Sequence, residues 1–149
     1  MSEARPAPGV SYVVARLDRA IRREIEQRTR QHGLTLPQYT ALSVLRRQSG
    51  LSNAQLARRC FVRPQSMNQV IVQLERSGMI ERQPDPGHRR VLRTTLTATG
   101  RKVLGACDED VAAMETVMLA ELSDADRDQL MHSMVSCVHQ LGAGFPELT

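Results

Sequence analysis

Residues 63–78, RPQSMNQVIVQLERSG, decide how the rest of this 149-residue chain is read. Taken as a helix, the stretch repeats Met67, Val70, Ile71 and Leu74 at three- and four-residue steps, the spacing that makes one buried face. Half a turn away lie Gln65, Gln69, Val72 and Arg76, with Ser66, Asn68 and Gln73 on the flanks. Gln and Asn amides donate and accept together, which matches the edge that adenine shows in a major groove. Carboxylates are nearly absent from that outer face. A merely solvated amphipathic helix shows much of the same pattern, so its neighbours carry the decision.

Upstream, Leu51-Ser52-Asn53-Ala54-Gln55 is a helix start: Ser52 caps, Gln55 completes a capping box, and Leu51 staples onto Leu56. This short helix ends near Cys60, and Phe61-Val62 make an apolar turn. Pro64 then opens the next helix at its first position, where its missing N–H costs nothing. Two helices joined by a turn of about four residues are a helix-turn-helix, with Leu56 and Ala57 facing Val62, Val70, Ile71 and Leu74. Downstream, Gly78 stops the helix, residues 79–83 read as extended, and Pro84-Asp85-Pro86-Gly87 is a strong turn signal. Residues 91–95 return as a second strand. The hairpin tip carries His88, Arg89 and Arg90, basic side chains suited to a minor groove beside the helix-turn-helix.

Further out, residues 10–31 form a helix with Val13, Val14, Leu17, Ile21 and Ile25 as its stripe, closed by His32-Gly33. Thr35 and Gln38 frame another start, with Leu34 stapling onto Tyr39, for a helix to about residue 48 that buries Leu42, Val44 and Leu45. After the hairpin, residues 98–121 carry Val103, Leu104, Cys107, Val111, Met114, Val117 and Met118 at helical spacing. Ser123 caps a last helix to about residue 141, with Leu130, Met134, Val135, Cys137, Val138 and Leu141 as apolar members. Nothing later in the chain covers these two helices, so a second copy is the expected cover. The expected fold is mainly α with a small β-hairpin wing. Residues 1–33 are a tail and a dimerisation helix, 34–97 a winged helix-turn-helix, and 98–149 the C-terminal dimerisation helices.

Charge divides the chain in the same places. Residues 1–53 carry nine Arg against four acids and residues 54–93 eight Arg against three, +5 each, whereas residues 94–149 sum to −6. A basic module ahead of an acidic third points to a nucleic-acid face on part of the molecule. With 3% aromatic residues and no Trp, the core is aliphatic. No apolar run approaches the length of a membrane span, and MSEARPAPG reads as a short tail without signal-peptide order, so a cytoplasmic protein is expected. Cys60, Cys107 and Cys137 lack CxxC pairing and read as small buried hydrophobes. Asp128, His132 and His139 are too few for a metal site. No nucleophile–His pair, paired loop acids or phosphate cradle indicates an enzyme, and no cofactor is implied.

Together, Leu56-Ala57, Pro64-Gln65, Leu74-Glu75 with Gly78, and Leu96-Thr97 with Gly100 resemble the MarR family of bacterial winged helix-turn-helix transcription regulators. The resemblance runs from about residue 11 to 141. It implies a homodimeric, ligand-responsive repressor or activator on a pseudo-palindromic double-stranded operator. The DNA-binding residues would be Arg63, Pro64, Gln65, Ser66, Asn68, Gln69, Gln73 and Arg76 on the featured helix, and His88, Arg89 and Arg90 on the wing. Two departures stand out. Arg63 replaces the usual Ser or Thr before Pro64, losing a cap but gaining reach to a phosphate. His88-Arg89-Arg90 lacks the acid of the family's Asp-x-Arg, so either Asp85 substitutes as the brace for Arg90 or the wing grips more loosely. By family position, Tyr12, Arg16 and Tyr39 are the candidates for a small aromatic or anionic effector. Cys60, amid Arg58, Arg59 and Arg63, is the one candidate redox switch. The competing reading is a winged-helix protein-interaction module that has lost DNA binding.

Overall fold

A computed structural model describes residues 7–144; the expected N-terminal tail lies, up to residue 6, outside them. The elements run α1 (Val10–Arg30), α2 (Leu36–Arg47), α3 (Asn53–Arg59), α4 (Pro64–Arg76), β1 (Ile80–Pro84), β2 (Leu92–Leu96), α5 (Ala98–Met118) and α6 (Asp124–Gln140). Both capping boxes form as local sequence dictates: Thr35 accepts from the Gln38 N–H and Ser52 from the Gln55 N–H, with each Gln side chain returning to its cap. Gly33, Gly50 and Gly78 all sit at φ near +75°, ending α1, α2 and α4 in the left-handed region that glycine adopts freely.

A single aliphatic cluster gathers Leu34, Leu42 and Leu45 from the α2 region, Leu51, Leu56 and Ala57 around α3, and Met67, Ile71 and Leu74 from α4. Ile80, Leu96, Leu104 and Cys107 close it from the hairpin and α5. The hairpin is antiparallel, pairing Ile80 with Leu96 through Pro84 with Leu92. A single residue extends it: Leu51 bridges Thr94, with Gly50 N–H donating to Thr94 O and Thr94 N–H to Leu51 O. The wing is thereby sewn to the chain entering α3.

Each strand begins one residue later than sequence periodicity placed it. Met79 belongs to the helix stop, its N–H donating to Leu74 O, and Val91 belongs to the tip turn, its N–H donating to His88 O. The helix expected over 98–121 ends instead at Met118, because residues 119–122 tighten into i→i+3 turns. The Leu96-Thr97 junction has a close-packing origin. Thr97 Oγ1 donates to Gly78 O, its N–H donates to Met79 O, and it caps α5 by accepting from Gly100 N–H. A Cβ at Gly100 would fall 2.0 Å from the Met79 carbonyl oxygen, so only glycine lets α5 start there.

The outer helices differ from the core. Val13, Val14 and Leu17 on α1 are exposed, as are Val117 and Met118 at the end of α5. No residue of α6 is buried. Cys137, expected in the interior with the other two thiols, is exposed for the same reason, while Cys60 and Cys107 are buried. No helix among the described residues is long and apolar enough to cross a membrane.

Candidate nucleic-acid interface

The placement of α4 follows from its buried side. Met67, Ile71 and Leu74 are at most 1% exposed, and together they lock the helix rotation about its axis. That rotation turns Gln65, Ser66, Asn68, Gln69, Gln73 and Arg76 outward, all exposed, with Arg63 and Pro64 exposed at the N-terminal end. Arg63 occupies the N-cap and makes no capping bond, leaving its guanidinium and the first-turn N–H groups facing outward. Asn53 Nδ2 donates to Pro64 O at 3.1 Å, tying the start of α3 to the start of α4. Gln73 is held from behind, accepting at 3.0 Å from Gln38 of α2. The acid on α4, Glu75, is half-buried and bound by Arg82 Nε at 3.1 Å from β1, which holds its carboxyl below the ordinary range. The outward face therefore carries amides, a hydroxyl and cations but no free carboxylate.

Beside it, His88, Arg89 and Arg90 are exposed on the wing tip, and among the described residues their side chains make no hydrogen bond or ion pair. The acid expected to brace Arg90 is engaged elsewhere. Asp85, only 9% exposed, accepts from Arg93 Nε at 2.5 Å and from the Gly87 and His88 N–H groups at 2.7 and 3.0 Å. Arg93 also donates to Gly50 O at 3.1 Å. Arg93 and then the backbone amides lower the Asp85 pKa. The brace thus forms across the hairpin to the α2–α3 loop: one Asp85 carboxylate oxygen takes the Arg93 guanidinium and the other takes the backbone N–H groups of the tip, so neither is left for Arg90. Sequence reading missed Arg93; an acid in the turn and an Arg eight residues later, across a hairpin, was the available signal.

The three effector candidates sit in different surroundings. Tyr12 and Arg16 sit one turn apart on the open face of α1, where Arg16 lines a shallow depression with Arg19, Ala20 and Arg23. Tyr39 is partly buried against the core and donates to Asp108 Oδ1 of α5 at 3.0 Å. Burial first, then Asp108, pushes its pKa up to about 12. Asp108 also pairs with Arg46, and His32 Nε2 lies 2.6 Å from Asp110 Oδ2, so a polar seam joins α2 and the turn after α1 to α5. Sequence reasoning did not find Arg46, Asp108 or Asp110. Cys60 is 8% exposed and closes α3 as part of the core. Among the described residues, no group of three or more His, Cys, Asp or Glu side chains is arranged to hold a metal ion.

Comparison with known proteins agrees with this geometry. Residues 32–91 match the family model described as MarR family. The HTH-type transcriptional repressor Rv2887 of Mycobacterium tuberculosis is 37% identical over 123 residues, 83% of this chain and 88% of that protein. The crystal structure of Rv2887 in complex with DNA superposes with a TM-score of 0.74 at 31% identity, covering 93% of this chain and 100% of the other. Its complex with p-aminosalicylic acid gives 0.73 at 32% identity, over 92% and 100%. The chain belongs to the MarR family of transcription regulators.

Proposed function

We propose that this MarR-family chain is a homodimeric repressor that binds a pseudo-palindromic operator and responds to a small aromatic or anionic effector. The observation that carries the reading is the outward face of α4, acid-free and set beside an exposed Arg89-Arg90 wing tip that makes no ion pair among the described residues. Gln65, Ser66, Asn68 and Gln69 would meet base edges in the major groove, with Gln73 and Arg76 further along the helix and Pro64 shaping its entry. Arg63 would hold a phosphate. His88, Arg89 and Arg90 would enter the adjacent minor groove.

Residues 34–97 would form the DNA-binding module, with residues 1–33 and 98–149 pairing two copies through the apolar faces of α1 and α6. Two half-sites one DNA turn apart then follow from the two-fold axis. The DNA and p-aminosalicylic acid complexes of Rv2887 support both partners by likeness. Tyr12, Arg16 and Tyr39 are the residues of this chain proposed to meet the effector. Such a regulator acts in the cytoplasm and catalyses no reaction.

Selection of bound sites from random duplex tests the reading. Affinity for the recovered site should fall steeply with salt, Gln69→Ala should relax sequence choice, and Arg90→Ala should weaken all sequences alike. Salicylate and p-aminosalicylate, added to the complex, should release DNA. Retention of no duplex at low salt would leave the protein-interaction module as the better reading.

A further inference from the structure

Aromatic side chains are scarce in this chain, two Phe and two Tyr in 149 residues, yet Phe61 on the turn between α3 and α4 is 94% exposed. Its backbone also suits another residue. At φ 56°, Phe61 is the one non-glycine residue with positive φ among those described, a conformation in which a Cβ crowds the neighbouring carbonyl. Folding explains neither property. Glycine would take this φ without strain, and a polar side chain would sit in water without exposing a ring.

The turn itself is firmly held. Cys60 N–H donates to Leu56 O, Phe61 N–H to Arg58 O and Val62 N–H to Ala57 O, at 3.0, 3.3 and 3.0 Å. Cys60 is buried on one side and Val62 packs against the core on the other. The ring therefore projects from a fixed loop, two residues before Arg63 and four before Gln65. Its sequence neighbours are Arg58, Arg59 and Arg63, and residues 54–74 contain no acid. A lone ring among cations is a poor patch for another protein, whose contact core would need a broader apolar surface. Duplex DNA offers phosphates for the cations and, at the groove margin, thymine methyl groups and deoxyribose faces for an apolar side chain.

We propose that Phe61 is a DNA-contacting residue, held outward to meet the apolar edge of the duplex beside the groove that α4 enters. The inference rests on the DNA-binding reading above. It is tested with full-length Phe61→Gly and Phe61→Ala, titrated by fluorescence anisotropy against a duplex selected from random DNA, with thermal melting and sedimentation alongside. Phe61→Gly should melt at or above the wild-type temperature, because strain is relieved, and should bind the duplex about tenfold more weakly, for half a buried Phe. The salt slope should stay unchanged, since no cation is removed. Phe61→Ala should show the same loss of affinity without the gain in melting temperature. Uracil in place of thymine identifies the surface met: it lowers wild-type affinity towards that of Phe61→Gly if the methyl is the partner, and changes neither protein if deoxyribose is. Equal affinity of wild type and Phe61→Gly overturns the inference. So does a lower melting temperature for Phe61→Gly, which would make the ring structural, or a changed oligomeric state, which would make a second copy its partner. A wild-type protein that binds no duplex defeats the DNA-binding reading itself, and this contact with it.

Discussion

Helices α4 and α6 carry apolar residues at similar spacing and end up in opposite situations. One opens on Pro64 at its first position; the other opens on Ser123, which caps by accepting from the Asp126 N–H. Both carry apolar residues at three- and four-residue steps. Yet α4 buries Met67, Ile71 and Leu74, whereas α6 buries nothing and leaves Leu130, Met131 and Met134 exposed, with Leu141 exposed at its C-cap. The difference lies in what the chain supplies opposite each face. α2, α3 and β1 pack on α4, while among the described residues no element packs extensively on α6. An amphipathic pattern states that a face is destined for cover; it does not state who provides it.

The sharpest way to break this contrast is a matched pair of truncations. Leu74→Ala should cost about 3 kcal/mol of folding stability, because it empties a filled site. Leu130→Ala should cost under about 0.5 kcal/mol in dilute, dissociated protein, while weakening dimerisation measured by sedimentation. Equal costs in dissociated protein would mean that α6 is covered within one copy after all.

A second test lies within the internally satisfied half. Asp85→Asn should loosen the wing tip without unfolding the core, read as severalfold faster amide exchange at Gly87 and His88, together with weaker duplex binding. The pH dependence has a definite sign. The folded-state pKa of Asp85 is depressed, so its contribution is present above the ordinary carboxylate range and is lost as pH falls below about 4. Wing-tip exchange that ignores both the substitution and acid would show that the hairpin backbone alone sets the tip.

The smallest expected effect is at the seam between the halves. In a Tyr12→Phe variant the remaining tyrosine should titrate by absorbance near 12. Because this pKa is raised, the stability linked to it is complete below about 10 and is lost as pH climbs through about 12. An unshifted midpoint would mean that the Tyr39–Asp108 contact between α2 and α5 does not persist in solution.

Much of the winged helix-turn-helix half was legible beforehand because its signals are local. Ser52 with Gln55, Thr35 with Gln38, Pro64 and Gly78 each act within one helical turn, and the structure keeps all of them. The outward placement of Gln65, Ser66, Asn68 and Gln69 follows from the period of Met67, Ile71 and Leu74 alone. Less legible were features whose partners are distant in sequence: Arg93 on Asp85 and Gly50, Leu51 bridging Thr94, and Asp108 joining Tyr39 and Arg46. The strand ends slipped by one residue because tertiary hydrogen bonds claimed Met79 and Val91 for turns.

The amino-acid sequence by itself thus determined which segments become helices, where the chain turns, and which face of α4 stays polar, since capping, proline and glycine geometry and apolar period are short-range. Only the tertiary structure decided that Asp85 grips Arg93 and not Arg90, that Gly100 must lack a side chain beneath Met79, and that Phe61 stands in water on a strained backbone. Those outcomes depend on how separate segments approach in space, and a one-dimensional pattern carries no distance between them.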